Sequence, residues 1–126
     1  MRVSAVAEAK LTVERSRFFA RLFPVASEGD IELAVAQHRA LYRKARHHCW
    51  AARWRERSGG IVEASRDDGE VGHPGRVLLE LLRHHELEGG IIVSRVFGGV
   101  KLGVGGVARA FRAAGAAVIP AAGGES

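Results

Sequence analysis

The sequence predicts an α+β domain, a two-layer sandwich in which a mainly antiparallel sheet carries helices on one face. Three observations lead there. Apolar residues recur at helical spacing from Ile31 onward, and a two-residue alternation runs through residues 48–55. An apolar helix opening on Pro74 then leads into the unbroken run Ile91, Ile92, Val93. The resulting order is ββαβ(β)αβα.

Residues 10–14 and 17–25 read as neighbouring strands, the second weighted with Phe18, Phe19, Leu22 and Phe23. Pro24 and the cluster Ser27, Glu28, Gly29, Asp30 close that strand and supply helix caps. Ile31, Ala34, Val35, His38, Leu41, Tyr42 and Ala45 line one face of a helix, with arginines opposite. In residues 48–55, His48, Trp50, Ala52 and Trp54 share one strand face, and Cys49, Ala51, Arg53 and Arg55 the other. Ser58, Gly59 and Gly60 turn the chain, and residues 61–64 return as a hairpin partner. A polar loop over residues 65–72 leads to Pro74, suited to a first helical position. Val77, Leu78, Leu81, Leu82 and His85 line one side of that helix, and Gly89 and Gly90 are expected to end it. Residues 91–97 are expected to form a buried strand. A glycine turn over residues 98–106 precedes a last helix with Val107, Ala108, Phe111 and Val118.

A chain of 126 residues suits one domain with one core. No apolar run approaches the ~20 residues of a membrane span. Glu8, Lys10 and Glu14 interrupt the stretch where a signal peptide needs continuous apolar residues, so the expected location is the cytoplasm, with no membrane partner. Cys49 is the single cysteine, which excludes an intrachain disulfide and a multi-cysteine zinc knuckle.

The net charge is +5 and the isoelectric point about 10.3. Residues 39–57 hold seven Arg or Lys against the single acid Glu56, and residues 89–124 hold four basic residues and no acid. If these segments meet in space they form a face that attracts phosphate backbones; otherwise they are ordinary solvated surface.

The segment 95–111 sets Gly98, Gly99, Gly103, Gly105 and Gly106 between a buried strand and a helix, with Arg95, Lys101 and Arg109 around them. Such a turn can present backbone N–H groups to an anion. It fits neither G-x-x-x-x-G-K-[ST] nor a dinucleotide-binding G-x-G-x-x-G context, which argues against a nucleotide-hydrolysing or dinucleotide enzyme. Tight packing against a neighbouring element explains the glycines equally well. The acidic loop places Asp67, Asp68 and Glu70 before Gly75 and Arg76. Three roles fit it: capping the next helix or pairing with arginines, binding a partner, or acid–base hydrolysis. His47, His48 and Cys49 form a third cluster, in which only His47 and Cys49 share a side; strand histidines at a core rim are the simpler reading than zinc ligation or a cysteine nucleophile. Trp50 and Trp54 read as core rather than as base-stacking surface.

The stretches SRFFARLFPV, ARHHCWAARW, SRDDGEVGHPGRVLLELL and SRVFGGVKLGVGGVARAF, in that order, resemble the IMPACT N-terminal domain family, also called YigZ. The resemblance implies a fold like domain IV of elongation factor G and the second domain of ribosomal small-subunit protein five. For eukaryotic relatives it implies translational control by competition for the activator of a stress-responsive initiation-factor kinase, and for bacterial relatives a basic nucleic-acid-binding surface. The family's D-D-G-E-P-x-G-T-A-G-x-P is here one residue shorter, lacks the Thr, and has Val71 and Val77 at proline positions.

The expectation is therefore a single domain over residues 1–126, core about residues 8–119, without a second ferredoxin-like domain. It acts as a non-enzymatic module that binds RNA or the ribosome, with no cofactor and no metal. A protein-interaction regulator and a hydrolase using the acidic loop are the alternatives. The residues expected to bind nucleic acid or a partner are Arg53, Asp67, Asp68, Glu70, Arg76, Arg95, Gly98, Gly99, Lys101, Gly103, Gly105, Gly106 and Arg109.

Overall fold

Eight elements follow one another in the computed structural model, which describes residues 1–119: β1 (Ala7–Val13), β2 (Ser16–Phe23), α1 (Glu28–Leu41), β3 (His47–Arg55), β4 (Ile61–Arg66), α2 (Pro74–His84), β5 (Gly89–Val96) and α3 (Gly103–Ala117). Residues 120–126, which the expected single domain also spans, lie outside the described residues. The five strands form one sheet in the order β1-β2-β5-β3-β4, every neighbouring pair antiparallel. The last strand in the chain thus sits at the centre, buried at every position but Val96.

Central burial explains the composition of β5. A strand covered on both faces is apolar at successive positions, not alternate ones. Ile91 and Val93 join Phe18, Leu22, Ala51, Leu78, Leu82 and Phe111 in a core under α2 and α3. Ile92 joins Phe23, Ile31, Ala34, Ala52 and Trp54 in a second core under α1. The α+β class and the antiparallel sheet are as the sequence predicts. The placing of all helices on one face is corrected: α1 covers the face opposite α2 and α3, because both faces of β3 and β5 are apolar.

Several boundaries also move. β1 runs from Ala7, and Glu14 and Arg15 take φ of 47° and 69° in the two-residue link to Ser16 that closes the hairpin. The Asp30 carboxylate accepts hydrogen bonds from the Ala26 and Ser27 amides at 2.7 and 3.3 Å, so α1 starts at Glu28. It stops at Leu41, which is exposed, because the chain must enter β3 at His47 opposite Arg95; Tyr42 instead stacks on Phe19 at 4.2 Å. Gly89 and Gly90 do not end α2. Glu86 takes a φ of 52° and the Leu87 amide donates to the Leu82 carbonyl, which closes the helix on the buried Leu87. The two glycines begin β5, where Val3 and the Phe23 ring occupy the space a Cβ would need. Val3 itself is buried, so the core begins before residue 8. Phe97 lies past the end of β5 and is 56% exposed, not buried. The last helix starts at Gly103, which places Gly105 and Gly106 inside its first turns.

Candidate functional site

Strand register gathers the chemistry at one end of the sheet. His47 lies opposite Arg95, Arg17 opposite Val96, and Trp50 opposite Arg66. The β1–β2 turn, the α1–β3 link, the acidic loop and the glycine loop therefore meet there, and α2 and α3 both start there. Two helix N-termini add positive potential to that end.

The acidic loop is held by the first residues of β3. The His48 amide donates to Asp68 Oδ2 at 2.8 Å, His47 Nδ1 meets the Asp68 carbonyl at 2.9 Å, and the Cys49 thiol donates to the Asp67 carbonyl at 3.1 Å. Asp67 Oδ1 accepts from the Gly75 amide at 2.8 Å and so satisfies a free N–H in the first turn of α2. Glu70 is buried and ion-paired with Arg95 at 3.1 Å, their side chains only 4% and 9% exposed. Arg95 also reaches Ser16 Oγ at 3.5 Å, which in turn accepts from the Gly98 amide at 3.2 Å. Of the roles considered for these carboxylates, capping and pairing with arginine are the ones observed.

The acidic loop also touches α3. Gly72 has a φ of 84°, and a Cβ there would lie 2.9 Å from the Val104 carbonyl. Burial, and after it the Glu70 charge, pushes the Cys49 thiol well up, so it is held protonated and is no nucleophile. Among the described residues no three His, Cys, Asp or Glu side chains are grouped to hold a metal ion.

On the other face of β3 and β5, Ser94 Oγ lies 2.6 Å from His48 Nδ1 and 2.8 Å from His38 Nδ1. Ser94 is wholly buried, so this serine–histidine contact reaches no substrate. Burial, then the Arg21 and His48 charges, lowers the His38 pKa from 6.5 to about 4; burial lowers His48 in the same direction. Between pH 6.5 and about 4 the unfolded chain takes up a proton that folded His38 refuses. Stability is therefore expected to fall as pH drops through that window, by on the order of 2–3 kcal/mol from this ring. Glu63 and Glu88, lowered mainly by hydrogen bonds from Arg83 and Arg55, lose their contribution only below 4.5 and do not confuse the upper part of the window. Urea unfolding across it should show a flatter profile for His38→Gln; an unchanged slope would refute the assignment.

The predicted site residues divide. Asp67, Asp68, Glu70, Arg76, Gly98, Gly99, Lys101, Gly103, Gly105, Gly106 and Arg109 gather at the loop end, and Arg76, Lys101 and Arg109 are exposed there. Arg95 is at the same end, but it is buried and neutralised by Glu70 rather than free to meet a phosphate. Arg53 is at the far end of β3, bound to Glu63 at 2.8 Å and to the Leu87 carbonyl at 3.2 Å. The two basic segments therefore converge only through the start of β3.

Sequence reasoning missed Arg15, Arg17, Lys44, Arg46 and Phe97 as surface groups of this end. None of the four cations is ion-paired among the described residues. Lys44 and Arg46 belong to the basic run already apparent in the sequence; only the hairpin register could have added Arg15 and Arg17. Two open grooves adjoin the glycine loop. One, of about 560 Å³, is lined by Lys44, Arg46, His47, Arg95, Val96 and Phe97. The other, of about 400 Å³, includes Glu14, Val100, Lys101, Gly106 and Arg109.

Residues 14–119 match the family model of the Impact N-terminal domain. The chain is 40% identical over 100 residues to an IMPACT family member in the pol 5′ region of Thermus thermophilus, covering 79% of this chain and 52% of that protein. Its fold is similar to the crystal structure of a hypothetical protein, with a TM-score of 0.82, 28% identity, and coverage of 92% of this chain and 57% of the other. It is also similar to the two-domain translational regulator Yih1, with a TM-score of 0.59, 26% identity, and coverage of 90% and 45%. The chain spans about half the length of the bacterial relatives it matches.

Proposed function

Because the chain belongs to the IMPACT family, we propose that this domain binds RNA, free or on the ribosome, and modulates translation through that contact. The observation that carries the reading is the loop end of the sheet. There Arg15, Arg17, Lys44, Arg46, Lys101 and Arg109 carry charges that no acid pairs with among the described residues, beside two helix N-termini. Such a surface suits a phosphate backbone. The likeness to a translational regulator supports the biological setting. A cytoplasmic location goes with the reading; no helix among the described residues is long and apolar enough to cross a membrane.

Filter binding to structured RNA tests it. Engaging about four phosphates should cost roughly a hundredfold in affinity between about 50 and about 200 mM salt. Changing Lys101 and Arg109 to Ala should weaken binding and lower the salt slope by about one to two. No binding at the lower salt, or binding indifferent to both substitutions, would overturn the proposal.

A protein partner is the second reading, favoured by one observation. Val71 and Val104, 49% and 60% exposed, project from the acidic loop and the α3 start where these meet at Gly72. Capture from lysate with and without nuclease separates the readings: partners lost with nuclease favour RNA, and partners that persist favour protein.

A further inference from the structure

The groove between β3 and β5 holds an aromatic ring that packing does not explain. Phe97 follows seven buried residues of β5, yet it is 56% exposed. It is not loosely placed. The Arg95 guanidinium lies 5.6 Å from its ring centroid and 5.8 Å from that of Phe18, and Glu70 fixes that guanidinium by the buried ion pair. A cation thus backs the exposed ring, and the ring opens toward a groove whose walls carry Lys44 and Arg46.

We propose that this groove is a single-stranded RNA site, in which a nucleobase stacks on Phe97 while Lys44 and Arg46 hold the adjoining phosphates. The inference rests on the RNA-binding reading above and narrows it to a ligand class. Stacking needs a base that can leave its own helix, whereas a duplex offers Phe97 only backbone and base edges. An aromatic face beside basic side chains is what unpaired strands use, and one groove of about 560 Å³ has Phe97, Lys44 and Arg46 together in its lining. The cationic rim alone would bind single strands and duplexes alike; Phe97 supplies the preference.

Fluorescence anisotropy decides it, with labelled oligouridylate of about 12 nucleotides and, separately, the duplex it forms with oligoadenylate of equal length. Wild-type protein should prefer the single strand. Phe97→Leu keeps the apolar bulk but removes the π face, and should weaken single-strand binding by between about fivefold and about a hundredfold while leaving duplex binding where it was. Phe97→Tyr should retain the preference, and Lys44→Gln with Arg46→Gln should weaken both ligands alike. Unaltered single-strand affinity in Phe97→Leu, or an equal loss for both ligands, would overturn the stacking site while RNA binding stood. Failure of the wild-type protein to bind either ligand would overturn both the site and the RNA reading beneath it.

Discussion

Arg95→Met is expected to lower the stability of the domain by about 3–5 kcal/mol. The reason lies in what it leaves behind. Glu70 has a side chain only 4% exposed, and its remaining hydrogen bond comes from the neighbouring Val71 amide at 3.1 Å. Without the guanidinium a carboxylate stands desolvated and unpaired. Ser16 loses a partner as well, and the cation between the Phe18 and Phe97 rings disappears. Guanidinium unfolding should show the drop as a lower midpoint with little change in slope. Glu70→Leu in the Arg95→Met background should recover most of the loss, because removing both charges removes the desolvation that neither could escape alone. A double variant no better than the single would mean that shape, not charge, sets the cost.

Gly98→Ala should be at least as damaging, with a loss at or beyond the ~3 kcal/mol upper range of overpacking. A Cβ at residue 98 would stand 2.5 Å from the Ser16 nitrogen and closer still to the Arg15 carbonyl. Every obstacle is backbone, so no side chain can swing away. Relief requires parting the glycine loop from the β1–β2 turn, which also breaks the Gly98–Ser16 hydrogen bond. Gly99→Ala is the control. Its Cβ meets nothing within 4 Å, and only the φ of 89° opposes it, at about 1–2 kcal/mol. Thermal unfolding of the two variants should therefore separate them clearly; equal losses would mean that local flexibility, not contact, is what Gly98 supplies.

Gly98 also illustrates how much of the site could be read from the sequence. The glycine cluster was visible, and so was the alternative that it packs against another element. Which element was not visible, since Arg15 is far away in the chain and only strand register brings it near. Element order was legible because periodicity is local: the Pro74 helix and the alternation through β3 both appear as predicted. The side taken by α1 was harder to see. Its signal was the unbroken Ile91-Ile92-Val93, which demands cover on both faces of the sheet. Charge in a sequence likewise says nothing about where a strand carries it. β3 spans 9 residues, and at about 3.3 Å per residue Arg53 and Arg55 fall roughly 20–25 Å from His47. A basic run that looked continuous is divided between two ends, and two of its seven charges, Arg53 and Arg55, are neutralised by Glu63 and Glu88.

The Ser94 hydroxyl beneath α1 has one proton and two imidazole neighbours, so it can donate to only one of His38 and His48 and must accept from the other. The two rings are thereby bound to opposite tautomers. His38 Nε2 is buried without a partner, and a stranded lone pair costs less there than a stranded N–H, which makes His38 the ring protonated at Nδ1. The proton order then runs from His38 through Ser94 to His48, and the dipoles of all three groups point the same way across the helix–sheet boundary. Reversing this order requires both rings to exchange tautomers and the hydroxyl to turn, so the tautomers of His38 and His48 are set jointly.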